Sequence, residues 1–164
     1  IVKILSKSKS HHYIILNGIT DLSDLDAKTL GDTEGNLYLG GIKKISENAA
    51  EFLSKIKGNL KLDELTEIHD TPAYISLLEK LSNHAVGALV LDQLSELTEQ
   101  AAQYLSKIQP EIYISLEGLS KISDEAAESL AKIDRDNINL PAEIEQIVER
   151  YRADDEGDED LDGE

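Results

Sequence analysis

The sequence predicts an α/β fold built as a stack of short strand–helix units, and three observations carry that prediction. An apolar-x-apolar triplet recurs five times: Ile14-Ile15-Leu16, Leu37-Tyr38-Leu39, Leu60-Lys61-Leu62, Leu89-Val90-Leu91 and Ile114-Ser115-Leu116. Each triplet is followed three residues later by an aliphatic (Ile19, Ile42, Leu65, Leu94, Leu119), and three further on by another (Leu22, Ile45, Ile68, Leu97, Ile122). The triplets start 23, 23, 29 and 25 residues apart, and a weaker sixth start, Ile138-Asn139-Leu140, follows after 24. Such periods belong to repeated β-plus-helix units, in which each unit buries its apolar face only against its neighbours.

The elements follow from the residues in chain order. Each triplet alternates with period two and reads as a short strand whose first and third residues point inward. Asn17-Gly18, Gly40-Gly41 and Glu117-Gly118 then allow a sharp bend. Hydroxyl residues stand in helix N-cap position at Ser23, Ser46, Thr98 and Ser123, each followed by an acid in the first turn: Asp24, Glu47, Glu99 and Asp124. A hydroxyl oxygen accepts from the free amides there, and the acids favour the positive end of the helix. The helices carry apolar residues at helical spacing, as in Ala49, Ala50, Leu53 and Ile56, or Ala126, Ala127, Leu130 and Ile133. The third unit departs from the rest. His69, Asp70, Thr71 and Pro72 replace its cap, and its extra residues predict a longer helix or a bulging loop. Pro141 opens a last helix in which Ile144, Ile147, Val148 and Tyr151 form one face.

Four segments result: residues 1–12, a partial unit or N-terminal edge; 13–140, five to six units; 141–152, a capping helix; and 153–164, an acidic tail expected to be disordered. Residues 1–12 begin with Ile1, Val2, Ile4 and Leu5, which resemble the end of an earlier helix. The expectation is a piece of a longer array, or a first layer that packs on another subunit.

Composition narrows the function. The chain has 164 residues, one Phe and no Trp, Met or Cys, so its core is aliphatic and thiol chemistry is excluded. No apolar run approaches the roughly 18–20 residues that span a bilayer. The net charge is −17, of which −8 lies in the last eleven residues, leaving −9 for the body. That charge disfavours nucleic acid and anionic membranes as partners and favours neutral or basic protein surfaces. A soluble chain is expected, and the composition does not separate a cytoplasmic from a secreted one.

The units resemble leucine-rich repeats, in particular a short bacterial variety, and the run Leu116-Glu117-Gly118-Leu119-Ser120-Lys121-Ile122-Ser123-Asp124-Glu125-Ala126-Ala127-Glu128-Ser129-Leu130-Ala131-Lys132 resembles that pattern most closely. The resemblance covers residues 13–140. It implies a right-handed solenoid, with short parallel strands on a concave face, helices on the convex face, and protein recognition by the concave surface. The Asn that forms a hydrogen-bonded ladder in the commonest repeats is absent. Ile19, Ile42, Leu65, Leu94 and Leu119 fall near its place, where an aliphatic ladder is expected instead.

Alternation points the middle residue of each triplet outward, together with the residues on either side of the triplet. The candidate partner-binding residues on this face are Tyr13, Ile15, Tyr38, Lys61, Asp63, Val90, Asp92, Tyr113, Ser115 and Glu117. Tyr suits an interface because its ring supplies area and its hydroxyl a hydrogen bond. No catalytic residue and no cofactor is expected. His69 and Asp70 adjoin, but no nucleophile or oxyanion device accompanies them. His11 and His12 lack a second pair of ligands at metal spacing. Asp158, Asp160 and Asp162, followed by Gly163, match the first half of a calcium loop whose completing ligand is missing, so an acidic tail is the preferred reading. The sequence therefore reads as a non-enzymatic protein-binding module. The alternative is a structural module that assembles with copies of itself, or within a larger assembly, through its N-terminal layer.

Overall fold

The computed structural model describes residues 13–155 apart from His84 and Val86. The described chain alternates strand and helix. The strands are β1 (Tyr13–Ile15), β2 (Asn36–Tyr38), β3 (Leu60–Lys61), β4 (Ala88–Val90), β5 (Tyr113–Ser115) and β6 (Ile138–Asn139). The helices are α1 (Asp24–Gly31), α2 (Glu47–Ser54), α3 (Pro72–Asn83), α4 (Glu99–Leu105), α5 (Asp124–Ala131) and α6 (Ala142–Asp155), with a 3-10 turn at Arg135–Asn137 before β6. All strand pairing is parallel, in two small sheets ordered β1-β2-β3 and β4-β5-β6.

The same local chemistry builds each unit. The first aliphatic after each triplet closes a turn by donating its N–H to the last residue of that triplet: Ile19 to Leu16, Ile42 to Leu39, Leu65 to Leu62, Leu94 to Leu91 and Leu119 to Leu116, at 3.1–3.2 Å. Ile42, Leu65, Leu94 and Leu119 are buried, which realises the expected aliphatic row. All four predicted caps form. Ser23, Ser46, Thr98 and Ser123 are extended, and each side-chain oxygen accepts from the backbone N–H three residues on. The paired alanines Ala49/Ala50, Ala101/Ala102 and Ala126/Ala127 are wholly buried, so a small side chain brings each helix close to the strands.

Neighbouring units are held in register by repeated bonds. At four junctions the third residue of a triplet donates to the middle residue of the next: Leu16 to Tyr38, Leu39 to Lys61, Leu91 to Ser115, and Leu116 to Asn139, at 2.8–3.0 Å. Close approach fixes glycine at two of the turns. A Cβ on Gly41 would lie 2.4 Å from the Asn17 carbonyl oxygen, and one on Gly118 would lie 2.0 Å from that of Asp92.

The third unit breaks the series. Of the two expectations for it, the longer helix is the one observed: α3 has 12 residues where the preceding helices have 8. Its Tyr74 is buried, and the hydroxyl donates to the Ile45 carbonyl. The chain then enters β4 through Gly87, at φ 82 the one positive φ among the described residues. After this insertion β3 and β4 do not pair.

The last helix extends beyond the predicted 141–152. It continues to Asp155, three residues into the segment assigned to the acidic tail. Arg152 anchors that end: its guanidinium donates to the Ala131 and Ile133 carbonyls and pairs with Glu149 at 2.5 Å. The N-terminal segment 1–12 and the rest of the tail lie outside the described residues.

Candidate functional site

Strand alternation sorts the side chains into two layers. Ile14, Leu37, Leu39, Leu60, Leu62, Leu89, Leu91, Ile114 and Leu116 are buried on the helix side. The intervening residues form the outer face. Tyr13 (64% exposed), Ile15 (63%), Val90 (44%) and Tyr113 (39%) lie on it. Only one other large apolar side chain among the described residues is exposed, Leu25 in the first turn of α1. Exposed apolar area is thus concentrated on the strand face.

Across β1 and β2, Tyr13 and Tyr38 stack tilted, with ring centroids 5.8 Å apart. Lys61 is exposed and pairs with Asp63 at 3.3 Å. Further along the face, Asp92 Oδ1 accepts from the Ser115 hydroxyl at 2.7 Å and from the Glu117 N–H at 3.0 Å. Glu117 in turn accepts from the Asn139 side chain. Ser115 sits at an outward position, yet it is only 7% exposed because this link covers it. Alternation predicts its direction correctly and misses its burial. Asp92 and Ser115 thus tie two units together, a role the sequence reading did not assign. The available signal was an acceptor just after one triplet and a hydroxyl in the middle of the next. Asn17 and Asn36 act similarly, accepting from the Gly40 and Asn59 N–H groups at 3.1 and 2.9 Å.

Between the two sheets the face opens into a cleft of about 320 Å³. Leu60 and Leu62 of the third unit and Leu89 and Leu91 of the fourth line it, with Leu81 of α3. Outward residues Lys61 and Val90 line it as well, so the opening passes between the strands from the outer face toward the core.

The other candidate groups do not converge. His69 Nε2 lies 3.5 Å from Glu67 Oε1, and its ring meets the edge of Tyr74 at 4.9 Å. Glu67 is held below the usual glutamate range, chiefly by its hydrogen bond from Lys44 at 2.7 Å. No group of three or more His, Cys, Asp or Glu side chains is placed to hold a metal among the described residues. His11, His12, Asp158, Asp160 and Asp162 lie outside them. No described helix is long and apolar enough to cross a membrane.

Compared with known proteins, the chain matches no family model, no curated protein and no solved structure.

Proposed function

We propose that the chain is a leucine-rich-repeat-like solenoid that binds another protein through the outer face of its strands, without catalysis. One observation carries the reading: four of the five exposed large apolar side chains among the described residues, Tyr13, Ile15, Val90 and Tyr113, stand on that face. Apolar area held in one place on an otherwise charged chain is costly to leave in water and is repaid by a partner that covers it. Parallel strands joined through helices, paired unit to unit within each of the two sheets, support the solenoid, and the strong right-handed preference of such crossovers gives its hand. With Asp63 and Glu117 exposed on the face, a neutral or basic partner fits it best.

The test is capture of partners from the native source by the wild-type chain and by the Tyr13→Ala/Tyr113→Ala variant. The same partners should be lost with the variant; their full retention would reject the face. Self-association is the second reading, supported by Tyr13 and Ile15, the two most exposed apolar residues of the face, standing together on β1, the first strand in the order β1-β2-β3 among the described residues. Sedimentation across a concentration series separates the two readings, since only self-association gives a size that rises with concentration.

A further inference from the structure

We propose that Asn17 is a site of spontaneous covalent modification: the Gly18 backbone nitrogen attacks the Asn17 side-chain amide and converts it, through a succinimide, to aspartate or isoaspartate.

The first turn leaves both reacting groups open. Asn17 and Gly18 are its central pair, and the bond that closes it runs past them, from the Ile19 N–H to the Leu16 carbonyl at 3.2 Å. Both residues are exposed. Among the described residues no hydrogen bond takes the Gly18 N–H or the Asn17 Nδ2 group. A Cβ on Gly18 would meet nothing within 4 Å, whereas the equivalent glycines, Gly41 and Gly118, lie against backbone of the preceding unit. The attacking nitrogen is therefore unhindered. The Gly40 N–H donates to Asn17 Oδ1 at 3.1 Å. A backbone donor on that oxygen draws charge from Cγ and stabilises the oxyanion that forms on attack.

The atoms balance with water alone. The Gly18 nitrogen gives its proton to solvent base and bonds to Cγ. The Cγ–Nδ2 bond then breaks, and Nδ2 takes up a proton and leaves as ammonia. Water opens the succinimide ring. Cleavage between the ring nitrogen and Cγ gives aspartate, and cleavage between that nitrogen and the main-chain carbonyl carbon gives isoaspartate.

Asn36 supplies the contrast within the chain. Its Oδ1 also accepts a backbone N–H, that of Asn59 at 2.9 Å. The next residue, however, is Leu37, which is wholly buried and whose N–H donates to the Asn59 carbonyl at 2.7 Å. Asn17 is the only Asn in the sequence that is followed by Gly.

The two products differ in consequence. Asp92 holds the place of Asn17 in the fourth unit, and its carboxylate accepts the Glu117 N–H at 3.0 Å. Aspartate at position 17 therefore keeps an acceptor for Gly40 and adds a negative charge to the outer face. Isoaspartate routes the main chain through Cγ, lengthens it by a methylene and displaces that acceptor, which loosens the junction of the first two units. Nothing in this chemistry depends on what the outer face binds.

The experiment ages the full chain in mildly alkaline buffer, with a parallel sample unfolded in urea. Peptide mass spectrometry follows amide-to-acid conversion, and isoaspartate is read by enzymatic carboxyl methylation. The proposal expects both products at position 17 of the folded chain, formed at least about tenfold faster than any conversion at Asn36 and within about tenfold of the rate in urea. The rate should rise with pH, because the attacking nitrogen must lose its proton. Gly18→Ala, whose methyl group crowds that nitrogen, should slow conversion by about tenfold or more. Conversion at Asn17 confined to the urea sample would overturn the proposal, as would equal rates at Asn17 and Asn36 or a rate indifferent to Gly18→Ala. The first two comparisons use the wild-type chain, so they decide even if the variant does not fold.

Discussion

The Ser115 hydroxyl donates to Asp92 Oδ1 at 2.7 Å, across 23 residues of sequence, and the same oxygen takes the Glu117 N–H. One carboxylate thus spans the junction of the fourth and fifth units and closes part of the outer face. Asp92→Ala strands a nearly buried hydroxyl and a backbone donor, and should cost about 1–3 kcal/mol. Asp92→Asn keeps an acceptor and should cost less. Urea denaturation midpoints of the three chains check the order.

Close packing between units gives a paired prediction. Gly118→Ala would place a Cβ against the Asp92 carbonyl oxygen, on rigid backbone, and should destabilise by about 1–3 kcal/mol. Gly18 holds the corresponding place after the first triplet, but a Cβ there meets nothing within 4 Å. Gly18→Ala should be neutral, or stabilising by up to about 1 kcal/mol through the unfolded chain. Thermal unfolding of the two variants compares them directly.

Much of this architecture is legible because its signals are local. Four cap residues, five triplets and five closing turns depend on a few adjacent residues each, and alternation alone assigns Tyr13, Val90 and Tyr113 to the outer face. Ser115 shows the limit. Its direction is local, but its burial depends on Asp92 in the preceding unit. The break in the sheet had a signal in the spacing of 29 between the third and fourth triplets. Spacing shows that residues are inserted and does not show whether the sheet re-forms beyond them. The three residues added to α6 have the same cause as Ser115: Arg152 finds its carbonyl acceptors in a segment about 20 residues earlier.

Acid should weaken one inter-unit contact in a defined direction. The hydrogen bond from Lys44 lowers the pKa of Glu67 below its ordinary value, so the contribution is fully present above the unfolded-state value of about 4.3 and is lost as pH falls through the lower folded value. Lys44 is largely exposed, which limits the effect to less than about 1 kcal/mol. Above about pH 5 the wild-type chain should be more stable than Glu67→Gln. Below about pH 4.3 the difference should shrink. Melting temperatures of the two chains across that range give the check; a difference that grows in acid would contradict the assignment.

Surface and binding effects should separate on the strand face. Tyr13→Ala and Tyr113→Ala remove exposed side chains, so each should change stability by no more than about 0.5 kcal/mol. As interface anchors, each should weaken partner binding by about tenfold. Denaturation and titration on the same samples test both halves of this expectation.

The central claim, that the outer strand face binds a protein, is tested most directly by partner capture with a matched control. Leu25 is more exposed than any apolar residue on the face, at 74%, but it belongs to α1. Capture from the native source with wild type, Tyr13→Ala/Tyr113→Ala and Leu25→Ala should give one set of partners, lost with the face variant and kept with Leu25→Ala. Partners kept by the face variant, or lost equally from both, would contradict the claim.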